Sequence, residues 1–174
     1  MSEVSALRSL YGFVHMVMEG TMGDVTPEQA HWIPPGKANP IGAMYAHAVF
    51  AEDVMIQGMA RGAAPLCAGE WGAKAGVSSP PPMEGGDWGN WGREAKVDLD
   101  KLRAFAQAVY ANTDAYFATL SDADLQRKID LSAFNSGEQT VGWFLFNVVG
   151  THGANTTGDI SALKGVQGAK GYPF

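Results

Sequence analysis

Helical spacing of apolar residues is the feature that most constrains how this chain folds. After Asp98, a residue type that often caps helices, apolar side chains recur every three or four positions over residues 102–120. The same spacing predicts a helix over residues 4–18. A further helix is predicted over residues 41–59, introduced by Asn39 as the cap and a proline as the first helical residue, with one apolar stripe facing the core.

A fourth helical segment is predicted from Thr140 to Leu163, although glycines interrupt it. Each glycine costs about 1 kcal/mol relative to alanine in a helix interior, so we expect these glycines to let helices approach closely. Four long helical segments in a chain of 174 residues predict one all-α domain over residues 1–174, an antiparallel four-helix bundle. The glycines concerned are Gly142, Gly150, Gly153 and Gly158.

Residues 62–96 interrupt the helical pattern with a long stretch rich in glycine, proline and tryptophan. The total of 22 glycines would also suit an all-β protein, but their concentration in connections and in the last helix favours the helical fold. A long irregular stretch in a compact domain is typical of a functional loop. Trp71, Trp88 and Trp91 are expected either to form an aromatic wall over the bundle opening or simply to cover its end.

Charge and cysteine content exclude several classes of function. Twelve Lys and Arg residues against 18 Asp and Glu give a net charge of −6 without a basic stripe, so no nucleic-acid partner is expected. A single cysteine, Cys67, rules out an intramolecular disulfide and a zinc site with several thiolates. The sequence shows neither an export signal nor a membrane-spanning apolar run, so a cytoplasmic location is predicted.

Two histidines are predicted to meet between helices. His47 lies on the second long helix and His152 on the last, where the next turns present Asn155, Thr156 and Asp159. Histidines that point inward from facing helices are a common way to bind a metal in a bundle, with Asp159 in or beside the ligand shell. The alternative is that both are hydrogen-bonded core residues, since two histidines rarely hold zinc without a third strong ligand.

The remaining histidines and the nearby acids carry weaker signals. His15 is predicted to be half exposed, and His31 to be structural. Glu52 and Asp53 follow the His47 turn, where a solvated face is expected. The alternative is a carboxylate that orients an imidazole.

Two stretches of the chain resemble a known family. PPGKANPIGAMYAH at 34–47 and HGANTTGDISALKGVQGAKGYPF at 152–174 resemble the DinB-like superfamily, also called the DinB/YfiT-like metalloenzymes, and residues 97–125 look similar to its members. The resemblance spans nearly the whole chain. It implies a four-helix bundle of up-down-down-up order with a long crossover loop, a homodimer, and a divalent metal such as zinc, nickel or manganese held by three histidines.

The resemblance places His47 and His152 at two of the three ligand positions, while the third is occupied by Thr156. Asp159 stands where the family commonly has glutamate. A neutral hydroxyl in place of an imidazole weakens metal binding by orders of magnitude unless Asn155, Asp159 or water substitutes. Relatives include S-transferases that use low-molecular-weight thiols, mycothiol or bacillithiol, and a thiol-dependent maleylpyruvate isomerase.

Three functions remain open from the sequence. The first is a DinB-like protein with a degenerate divalent-metal site, in a pocket between helices that takes a small-molecule ligand. The second is a metal-dependent thiol S-transferase or hydrolase. The third is a non-catalytic dimeric binding or scaffold protein that keeps only the fold.

Overall fold

The helices of the computed structural model follow the predicted pattern closely. The structure describes residues 1–82 and 86–174, so Met83, Glu84 and Gly85 of the predicted loop lie outside the described residues. In chain order the α-helices are α1 (Glu3–Met22), α2 (Pro27–His31), α3 (Ile41–Asp53), α4 (Trp88–Glu94), α5 (Leu99–Phe117), α6 (Val141–Phe144) and α7 (Thr151–Val166).

Two π-helical segments extend these helices. Val54–Arg61 continues α3, and Leu145–Gly150 joins α6 to α7, so that each forms part of one long helical stretch. Single turns of 3₁₀-helix occur at Leu66–Ala68, Asp124–Gln126 and Ser132–Phe134. The two strands that the described residues contain are β1 (Lys128–Asp130) and β2 (Glu138–Thr140), which pair antiparallel.

Four long helical stretches pack together in the way that an all-α fold requires. Both α1 and α3 contact α5 and α7. The predicted all-α class is therefore confirmed, whereas the order of helix directions stays a prediction. None of the helices that the structure describes is long and apolar enough to cross a membrane.

The predicted apolar stripe of α3, which includes Ala43, Met44, His47 and Phe50, faces the core only in part, because this helix is buried on most of its surface. Ala43 and Phe50 are buried as predicted. Tyr45, Ala46 and Val49 are fully buried, whereas Met44 and His47 from the predicted stripe are only half-buried. A helix that is apolar all round lies in the middle of a packed domain, so periodicity alone does not identify its core face.

Of the two helix caps predicted at Asp98 and Asn39, the structure contains only the first. The Asp98 carboxylate accepts a hydrogen bond from the backbone N–H of Lys101 and caps α5 as predicted. The predicted cap at Asn39 is wrong. Pro40 occupies the cap position of α3, and the Asn39 amide instead donates to the backbone carbonyl of Trp88, 49 residues away in the chain.

The described parts of the long loop are attached to the helices by specific contacts. It contains α4, and its first part is attached to α3 by Asp53, whose carboxylate accepts the backbone N–H groups of Leu66 and Cys67 at 2.9 Å each. Further along, Val77 forms an antiparallel bridge with Val97. These contacts hold the loop against the helices that it crosses.

Glycines in the last helical stretch, Leu145–Gly150 and α7, allow it to pack closely on α1, as predicted. A Cβ atom added at Gly153 would lie 3.0 Å from Cγ1 of Val14, and one added at Gly150 would lie 3.2 Å from Cδ2 of Leu10. Real Cβ atoms rarely approach neighbours so closely. Glycine at these positions therefore allows a separation that a larger side chain would prevent.

We expect Gly150→Val to lower the free energy of unfolding by about 1–3 kcal/mol, because the added atoms overlap Leu10 and force the helices apart. Gly165→Ala is the matched control in the same helical stretch, since no described atom lies within 4 Å of a Cβ added there. Alanine should raise the stability by up to about 1 kcal/mol. Chemical denaturation measures both, and equal effects would contradict tight packing at Gly150.

Candidate functional site

The structure brings His47 and His152 into direct contact. α3 and α7 pack against each other, and the two Nε2 atoms lie 2.8 Å apart, with ring planes inclined by 72°. This distance is that of a hydrogen bond, in which one ring nitrogen donates and the other accepts. The contact joins the two helices on which the sequence placed these residues.

A cavity of about 720 Å³ opens beside the two imidazoles and is called the main cavity below. It lies between the start of α3, α4 and α7. Asn155 and Thr156 of α7 also line it, as the sequence predicted for the turns after His152. The aromatic and the remaining polar residues that line the cavity are Asn39, His47, Trp88, Trp91, His152 and Asp159.

Two of the three loop tryptophans contribute to this cavity. The Trp88 ring packs edge-on to His47, with centroids 4.1 Å apart, and Trp91 lies 5.5 Å from Trp88. Trp71 is elsewhere, against Phe105 with ring centroids 5.7 Å apart. It lines a separate cleft of about 960 Å³, called the lysine cleft because Lys74, Lys96 and Lys101 also line it.

Burial keeps both imidazoles of the pair in the neutral form. Desolvation, with the positive charge of a protonated His152 as a smaller cause, lowers the pKa of His47 to about 4. Desolvation also lowers the pKa of His152, partly opposed by the carboxylate of Glu52. At neutral pH the pair is therefore two uncharged rings with opposite tautomers.

The residues present do not fit the three-histidine metal site that the family resemblance implies. Nitrogen ligands lie about 2.0–2.1 Å from zinc, which in tetrahedral geometry places two of them roughly 3.3 Å apart. His47 and His152 are closer, at 2.8 Å, and the Thr156 hydroxyl donates to the carbonyl of its own helix at His152, 2.9 Å away. Within residues 1–82 and 86–174, no three His, Cys, Asp or Glu side chains cluster closely enough to hold a metal.

Asn39 is a lining residue that the sequence did not identify as part of the site. Its Nδ2 atom donates to the Trp88 carbonyl at 3.3 Å, and Gly92 packs directly on its amide group. In the described part of the chain, two buried side-chain polar atoms lack a hydrogen-bond partner, Asn39 Oδ1 and His47 Nδ1. Both residues line the main cavity. No spacing pattern links residue 39 to residue 88, so only the three-dimensional structure shows this pairing.

A second polar cluster, called the His15 cluster, lies on the other side of His152. Nε2 of His15 contacts both carboxylate oxygens of Glu52, at 2.9 and 3.1 Å, and the Thr113 hydroxyl donates to Glu52 at 2.8 Å. The His15 ring stacks on Tyr110 with centroids 3.8 Å apart. His15, Glu52 and His152 line one small gap of about 10 Å³. The His15 cluster and the imidazole pair are therefore neighbours.

The predicted solvated face at Glu52 and Asp53 is wrong. Glu52 is 9% exposed and Asp53 is 1% exposed. The Glu52 carboxylate orients the imidazole of His15 and not that of His47. The Asp53 carboxylate accepts hydrogen bonds from the loop backbone. His31 is structural as predicted, because its Nε2 accepts the Val97 backbone N–H at 3.0 Å.

Comparison with known proteins gives the family and the fold. A family model described as the DinB superfamily matches residues 11–154. The crystal structure of a conserved protein from Enterococcus faecalis is similar, with a TM-score of 0.78 at 18% identity, covering 97% of this chain and 99% of that one. At this identity the likeness concerns the fold alone. No curated protein matches the sequence significantly.

Acid should destabilise the protein through the buried imidazole pair. Since the pKa of His47 falls from 6.5 to about 4 on folding, the unfolded chain binds a proton within this window that the folded chain does not. The free energy of unfolding therefore decreases as pH falls from 6.5 towards 4. We expect a smaller decrease in His47→Asn, measured by urea denaturation at several pH values. Identical pH profiles in both proteins would contradict this origin.

Proposed function

The chain belongs to the DinB superfamily, and from this membership we propose that it binds a small organic molecule in the main cavity, beside a degenerate divalent-metal site. The observation that carries the proposal is the placement of two neutral imidazoles and two tryptophans around one cavity of about 720 Å³. Ligand sites are typically concave, largely apolar, and equipped with a few polar groups that fix orientation. The main cavity combines these features.

The metal part of the proposal is a weak site for zinc, nickel or manganese at His47 and His152. Thr156 replaces the third imidazole, and its hydroxyl is already engaged with the His152 carbonyl. Histidine ligands are normally oriented by a hydrogen bond from their other ring nitrogen. That support is missing at His47 Nδ1 among the described residues. Ligand binding is thus proposed not to depend on a metal.

A second candidate is metal-dependent chemistry of the thiol S-transferase or hydrolase type. The observation that favours it is that Asn155 and Asp159 line the same cavity as the imidazole pair, where a substitute ligand is needed. This candidate requires a stoichiometric metal and a low-molecular-weight thiol. Homodimer formation and a cytoplasmic location are proposed as well, on the family resemblance and the sequence pattern respectively.

The metal proposal predicts that Thr156→His tightens zinc binding by about a hundredfold. Positions 152 and 156 are one helical turn apart and both line the main cavity, so the new imidazole joins the existing pair. Titration calorimetry on protein without an affinity tag measures the change. The double variant Thr156→His/His152→Ala is the control and should return to weak binding.

Two results would contradict the proposal. Tightly bound stoichiometric metal in the unmodified protein, lost in His152→Ala, would favour the thiol-transferase or hydrolase candidate. No gain in Thr156→His, with the fold intact by circular dichroism, would show that residue 156 does not occupy the third ligand position.

A further inference from the structure

We infer that the main cavity recognises a small organic ammonium, an amine carried on an apolar or aromatic group. This inference rests on the proposed small-molecule site and names its ligand class. It follows from the charge and the aromatic rings of the cavity wall and from an unpaired acceptor buried behind it.

The charge on the wall is negative. Asp159 is the only Lys, Arg, Asp or Glu side chain among the described residues that line the main cavity. Arg93 of α4 keeps its positive charge, but its guanidinium is held by the backbone carbonyls of Gly36 and Ala38, and Arg93 is not among the described lining residues. An anionic ligand would therefore face a carboxylate without a compensating cation on the wall, whereas an ammonium would gain a partner.

The two tryptophans favour a cation in the same place. The face of an indole ring carries negative electrostatic potential, which attracts ammonium groups more strongly than the other aromatic side chains do. Trp91 is held by a hydrogen bond from its Nε1 to the carbonyl of Ser79 at 3.2 Å, and Trp88 is packed between Trp91 and His47. Rings fixed in this way bind without losing side-chain freedom.

An unpaired acceptor adds to this potential. In the described part of the chain, Oδ1 of Asn39 is buried and receives no hydrogen bond. Its partial negative charge is not offset by a donor, and such uncompensated charge acts strongly in a poorly solvated wall. The amide belongs to the same wall as Asp159 and both indole rings.

The protein offers the opposite environment in the lysine cleft. Lys74, Lys96 and Lys101 line it together with Trp71 and one carboxylate, Asp98, so the lining charge is net positive. Asp98 pairs with Lys101 at 2.8 Å, and Lys74 pairs with Glu70 at 2.8 Å. An anionic aromatic ligand has a better match there than in the main cavity. The two cavities thus provide an internal comparison for charge preference.

Three probes with one carbon framework test the inference at pH 7: 2-phenylethylamine as the cation, 2-phenylethanol as the neutral form and phenylacetate as the anion. Binding is followed by the indole N–H signals of isotope-labelled protein, with those of Trp88 and Trp91 assigned from W88F and W91F. The amine should bind about fivefold tighter than the alcohol, and phenylacetate weakest. Shifts should concentrate on Trp88 and Trp91. Trp32 and Trp143 serve as internal references, and Trp71 reports binding in the lysine cleft.

Asp159→Asn should weaken binding of the amine roughly threefold and leave that of the alcohol unchanged. Asp100→Asn is the matched control, because this side chain on α5 is 96% exposed and is not among the described lining residues. It removes the same formal charge from the protein. The control should therefore bind all three probes as the unmodified protein does.

The outcomes separate the ligand class from the site. Phenylacetate or 2-phenylethanol binding as tightly as the amine at Trp88 and Trp91 would overturn the ammonium inference but keep the cavity as a ligand site. An equal loss in Asp100→Asn would overturn it too, as an effect of net charge. If none of the probes shifted the Trp88 or Trp91 signals, the proposed small-molecule site would itself be overturned.

Discussion

The close approach of α7 to α1 is the constraint on which the candidate site depends. Gly150 and Gly153 leave room for Leu10 and Val14, so that the last helix lies deep between its neighbours. Because α7 also packs on α3, the same approach sets the 2.8 Å separation of His152 and His47. A side chain at either glycine would overlap α1 and require the last helical stretch to shift.

Two π-helical segments adjoin the helices that carry His47 and His152. Leu145–Gly150 directly precedes the turn that carries His152, and Val54–Arg61 follows the buried acids at the end of α3. The two segments contact each other. A π-helical turn rotates the residues that follow it relative to an ideal α-helix, and such turns are frequent near functional sites. Here Leu145–Gly150 precedes α7 and so affects the angular positions of the α7 side chains that line the main cavity.

Sequence patterns predicted what depends on neighbours along the chain and missed what depends on distant partners. Asp98 caps α5 because its acceptor and the N–H group that it binds are three residues apart. Glu52 and Asp53 were expected in solvent, since no local pattern shows that His15 and the loop backbone cover them. The cap predicted at Asn39 is wrong for the same reason, because the carbonyl that its amide binds belongs to Trp88 of α4, 49 residues away in the chain. The histidine pair was predictable because helix periodicity and the family resemblance both pointed to those positions.

The two sides of His152 differ in charge and in whether their buried polar groups have hydrogen-bond partners. In the His15 cluster, Glu52 is fully engaged by an imidazole and a hydroxyl, as stable buried polar groups require. On the other side, the main cavity is lined by Asp159 and by Asn39 and His47, each of which has one buried polar atom without a partner among the described residues. In a complete three-histidine site a divalent cation would dominate this wall and favour thiolates or other anions. With threonine at position 156, the carboxylate and the indole rings determine the potential instead. On the proposed function, the threonine that replaces the third imidazole therefore also changes the charge that the cavity prefers.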